Sequence, residues 1–168
     1  MALPGGIHLI YPIGLLCLSV GLFMQLIGLA SSSWSLKDGD PILYYGLWDL
    51  CTGEVCAEHK EEFVNGSIKA CQAFAIMGMV VGGVALILGV TFILMTILKK
   101  SPHRFIPLAA MICGSVSFVF IDIGVVTWAG GMPIRSEVTN GYSLAISATA
   151  SVLIACGGIL LFLGCGKS

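Results

Sequence analysis

Apolar residues in this chain fall in long, nearly unbroken runs, without the short periods of half-buried strands and surface helices. A helix needs about 20 predominantly apolar residues to cross a bilayer. Four runs reach that length: 9–30, 71–98, 105–130 and 142–164. The first charged side chain is Lys37, so the first run carries no formal charge. No basic segment precedes it and it is too long for a signal peptide, which makes it a retained span. Lys99 and Lys100 close the second run, Arg104 and Arg135 bracket the third, and Lys167 follows the fourth. The pattern predicts one tetraspan unit over residues 1–168, with connecting loops at 31–70, 99–104 and 131–141.

Composition fits that pattern. Hydrophobic residues make up 57% of the chain and charged residues 10%, against about 25% charged in a soluble domain. So little charge cannot coat a water-facing surface. The net charge of −1 offers no basic surface for nucleic acid.

Charge also orients the spans. The segment LKKSPHR holds Lys99, Lys100 and Arg104 with no acid, whereas loop 31–70 holds three basic residues against seven acidic ones. Short loops rich in Lys and Arg stay on the cytosolic side. Loop 99–104 and both termini are therefore expected in the cytosol, and loops 31–70 and 131–141 outside or in a lumen.

Loop 31–70 carries the most distinctive chemistry. It reads YYGLWDLCTGEVC from Tyr44 to Cys56, on the oxidising side where disulfides persist. Strands over about Leu43–Leu50 and Val55–Glu58, with Gly53 in the turn, predict a hairpin pinned by Cys51 and Cys56. A redox pair would favour CxxC spacing with a base nearby, and a metal site would need more than His59. A structural disulfide is the favoured reading. Asn65-Gly66-Ser67 is an N-x-S acceptor for glycosylation. Ile42, Leu43, Tyr44, Tyr45 and Val64 are the apolar contact candidates, because exposed aromatics anchor interfaces better than the loop's solvated acids.

Trp34, Gly46-Leu47-Trp48, Cys51 and Cys56 resemble the W…GLW…C…C signature of the claudin superfamily. The cysteine spacing is most similar to the branch holding peripheral myelin protein, the epithelial membrane proteins and the lens fibre membrane protein. Gln72-Ala-Phe at the start of the second span and Gly141-Tyr-Ser at the start of the fourth resemble stretches of that branch. The resemblance implies an all-α membrane fold: a left-handed four-helix bundle topped by a small extracellular antiparallel sheet, with the Cys51–Cys56 disulfide inside the sheet. It also implies that Trp34, Leu47 and Trp48 seat the sheet at the outer membrane interface, where tryptophan rings are favoured.

Within the spans, small residues govern how closely helices approach. Gly14, Gly21 and Gly28 share one helix face, Gly78 and Gly82 form a GxxxG, and Ser147, Ser151 and Ala155 recur every fourth residue. Packing within one bundle is the simpler reading, and a face for a second protein is the other. Asp122 is the one acidic residue inside a span. An acid at such depth is costly, so Asp122 is expected to be satisfied by Gln25, Thr127 or a serine of another helix. Cys17, Cys113 and Cys156 read as small apolar residues, and Cys165 beside Lys167 is a palmitoylation candidate.

The chain shows no nucleophile–base pair, phosphate loop or ligand cluster, so neither an enzyme nor a cofactor is expected. The expected role is membrane contact and organisation at the plasma membrane through the first loop, with lipids, another copy or a different membrane protein as partner. The competing role is that of an auxiliary, gamma-like subunit of a channel or receptor, docked through Asp122.

Overall fold

The computed structural model describes residues 9–39, 41–53, 55–59, 66–98, 105–131 and 138–165. Val64, Asn65 and the basic loop 99–104 lie outside them. Four helices are long and apolar enough to cross a membrane: α1 (Ile10–Ala30), α2 (Gly66–Ile97), α3 (Phe105–Gly131) and α4 (Tyr142–Cys165). Helix α2 starts at Gly66, ahead of the expected Cys71. Its extra turn has a packing reason, because Ile68 is buried against the tryptophan cluster under the sheet.

Five short strands make one antiparallel sheet: β1 (Ser35–Lys37), β2 (Leu43–Tyr45), β3 (Asp49–Thr52), β4 (Val55–Glu58) and β5 (Val138–Asn140). Their order across the sheet is β4-β3-β2-β1-β5. The expected two-strand hairpin is thus corrected. Leu43–Leu50 is broken at Gly46, whose N–H donates to the Asp49 carbonyl (2.9 Å), so the chain turns back into β3. Strand β5 comes from the second loop and pairs with β1 in the register Ser35↔Asn140, Leu36↔Thr139.

Packing is closest between α1 and α4 and between α2 and α3, with α3 also against α4. The core falls into three layers. Leu29, Trp34, Leu47, Ile68, Cys71, Ala75, Trp128 and Leu144 fill the sheet end. Leu18, Ala85, Ile121 and Ile154 fill the middle, and Tyr11, Phe92, Ala110 and Leu161 fill the far end. Large apolar side chains such as Leu16, Phe23, Val80, Ile87 and Val126 point outward from the helices. An apolar outside is what hydrocarbon surroundings demand.

The small-residue faces are used inside this bundle. A β-carbon at Gly14 would stand 2.9 Å from the Leu161 amide nitrogen, and one at Gly21 would stand 2.8 Å from Ile154 Cγ1. Gly28 faces Ser147 in the same way, so the α1 glycine face is the seam with α4. Gly78 and Gly82 meet Ile121 and Ser117 of α3, where Ser117 Oγ also donates to the Gly78 carbonyl (2.7 Å).

Candidate functional site

The sheet and the helix ends beneath it form the site. Three tryptophan N–H groups and one amide bolt the two together. Trp34 Nε1 donates to the Gly28 carbonyl (2.8 Å) and Trp48 Nε1 to the Leu29 carbonyl (2.8 Å). Both acceptors sit in the last turn of α1, where carbonyls lack helical donors. Gln72 Nε2 on α2 donates to the Leu47 carbonyl (2.7 Å), and Trp128 Nε1 on α3 donates to Ser35 Oγ (2.9 Å). Trp34 and Trp128 rings lie 5.4 Å apart at 60°, a tilted aromatic pairing.

The expectation that Trp34 and Leu47 sit against the bilayer is corrected here: both are buried in the sheet-end core. Both pack with Cys71, Trp128 and Leu144 beneath the sheet. Trp48 alone of the three is exposed, at 43%, with its N–H still tied to α1.

Gly46 has no room for a side chain, since a β-carbon there would run into Asp49 Oδ1 and the Ser32 backbone. Asp49 is held by Ser32 Oγ (2.8 Å), and His59 Nε2 lies 3.0 Å from the Gly46 carbonyl. Gly141 is confined in the same way against the Ser33 carbonyl. Its N–H donates to the Trp34 carbonyl (2.9 Å), and the Ser143 N–H donates to the Ser33 carbonyl (3.1 Å). These bonds give the Gln72-Ala-Phe and Gly141-Tyr-Ser stretches a physical role: they clamp α2 and α4 to the sheet.

Cys51 and Cys56 are disulfide-bonded, with Cα atoms 4.0 Å apart, joining β3 to β4 at directly paired positions. Asp49 lies near both sulfurs, but bonded sulfurs supply no thiolate for a metal. Of the other cysteines, Cys71 is buried under the sheet, Cys17 and Cys113 are half-buried, and Cys156 is exposed on α4. Cys165 packs against the far-end core around Tyr11.

The contact candidates separate. Ile42 is exposed and Leu43 half-buried. Successive strand residues face opposite sides of a sheet, which sends Tyr45 onto the tryptophan cluster. Tyr44 faces the disulfide side, in an open depression lined by Ser31, Cys51, Cys56 and Tyr142. Tyr45 is thus packed on the core, while Tyr44 stays half-buried at the sheet surface. Val55 is the side chain that sequence reasoning passed over, at 72% exposed. Its place just after the Gly53 turn was the available signal.

Asp122 is satisfied across helices, as Ser151 Oγ of α4 donates to its Oδ1 (2.8 Å). The Ala148 carbonyl lies 2.8 Å from the same Oγ as an alternative acceptor. Gln25 is fully buried on the α1–α4 seam. Asp122 further lines a shallow open groove on α3 with Phe118, Val119, Ile123, Val126 and Thr127.

A search of curated proteins finds no match to this chain. A family model does match, over residues 8–161, and its description is the PMP-22/EMP/MP20/Claudin family as a whole rather than one branch. The matched span contains all five strands, the disulfide and the tryptophan clamps, so the chain is a multi-pass membrane protein that belongs to the PMP-22/EMP/MP20/Claudin family.

Proposed function

We propose that this chain mediates contact within or between plasma membranes, displaying its sheet outside the cell with both termini in the cytosol. The observation that carries the proposal is the outer strand of the clamped sheet, as every residue of β4 is exposed. An open edge strand offers unpaired backbone groups to another chain. The Gly53 N–H donates to the Ile42 carbonyl (3.2 Å), which sets Ile42 beside the β3–β4 turn and Val55. Two exposed apolar side chains and an open edge therefore share one end of the sheet. Family membership supports a role in junctions or contacts, and the acidic loop supports the outward orientation.

The test is the double variant Ile42→Ser with Val55→Ser. Surface display should be unchanged, because neither residue is in the core. Association between copies, measured by energy transfer in cell membranes, should weaken more than about tenfold if the pair anchors the interface. Undiminished association would reduce the sheet to a lid on the bundle and sink the proposal.

The Asp122 groove favours a second reading, the auxiliary subunit. Under it, Asp122→Leu would release a co-purifying channel or receptor while the double variant kept it.

A further inference from the structure

Gln25 is fully buried, yet neither its Nε2 nor its Oε1 has a hydrogen-bond partner among the described residues, and Ser147 Oγ is in the same position. Ser147 breaks a local habit. Ser19, Thr91, Thr96, Ser115 and Thr149 each donate to the carbonyl four residues back. The Ser147 hydroxyl instead turns toward Gly28 on α1. Gln25 lies between Gly21, which abuts the Ala150 carbonyl and Ile154, and Gly28, which abuts Ser147. Gln25 therefore lies on the seam with α4.

We infer that Gln25 and Ser147 hold bound water in the seam between α1 and α4. A glutamine amide offers two donors and two acceptors, and a hydroxyl offers one donor and two acceptors. Leaving them unmet in a membrane interior is costly. Water fits the seam because it is small, donates and accepts, and makes about three bonds when buried.

Polar side chains continue along the seam toward one end only. Toward the sheet, Ser143 Oγ donates to Ser31 Oγ (2.8 Å), which donates to the exposed Tyr142 hydroxyl (3.2 Å). Away from the sheet, Ile154, Leu18 and Leu161 are fully buried and apolar. Water therefore exchanges from the sheet side and stops at that plug, so the seam does not form a channel. This inference is independent of the contact reading.

The test is water-edited solid-state NMR on the full chain in lipid bilayers. Magnetisation starting on water should reach the Gln25 side-chain amide as quickly as it reaches exposed strand β4. Leu18 and Ile154 methyls should stay dark. Ser147→Ala should lose most of the Gln25 signal, whereas Ser115→Ala, on an exposed face, should not change it. The wild-type spectrum decides the matter even if a variant folds poorly. A dark Gln25 amide would overturn the inference, as would a direct contact from it to the Asp122 carboxyl or a backbone carbonyl.

Discussion

Trp34 joins four elements: its ring packs at a tilt against Trp128 of α3, its indole N–H bonds the last turn of α1, and its backbone bonds β2 and Gly141 just ahead of α4. Trp34→Phe keeps the ring packing and orphans the Gly28 carbonyl. It should cost about 1 kcal/mol, whereas Trp34→Ala should cost about 3–5 kcal/mol. Reversible unfolding in detergent with denaturant would measure both, and equal costs would refute the bond's role. The same scale shows where sequence reasoning stopped. The signature residues were visible as types in a pattern, but nothing in YYG tells which tyrosine faces inward until β2 has a register. Asp122 stood out by its charge, while its partner Ser151 was one of several serines at equal spacing.

The elements are set by length and by small residues. Apolar run length locates four helices because a bilayer admits little else. The sheet was less legible. Strands of three residues such as β1 and β5 have too few positions to show alternation, and they exist because the helix ends hold them together. The glycine face of α1 makes a direct prediction. Gly21→Leu must displace Ile154 and the α4 backbone, an overpacking that should cost about 1–3 kcal/mol or more. Gly83 has open space around its β-carbon position, so Gly83→Leu should leave stability within about 0.5 kcal/mol. Comparing surface expression and unfolding midpoints checks both, and similar losses would contradict the assignment of the α1–α4 seam.

At the scale of the molecule, the sheet joins α1 to α2 and α3 to α4 at one end of the bundle. The proposed orientation follows from the basic segment around Lys99, Lys100 and Arg104 opposing an acidic first loop. An impermeant amine label on intact cells should modify Lys60 and spare Lys99 and Lys100, with the reverse pattern refuting that orientation. The central claim is that the open end of the sheet, at Ile42 and Val55, is the contact surface. Photo-crosslinking on intact cells tests it most directly, with a photoreactive residue at Val55 and, for comparison, at outward-facing Leu16 of α1. Position 55 should give protein adducts, to a second copy or one defined membrane protein, that are lost when Ile42 is changed to Ser. Position 16 should yield mainly lipid adducts. Protein adducts from position 16 with none from position 55 would contradict the account.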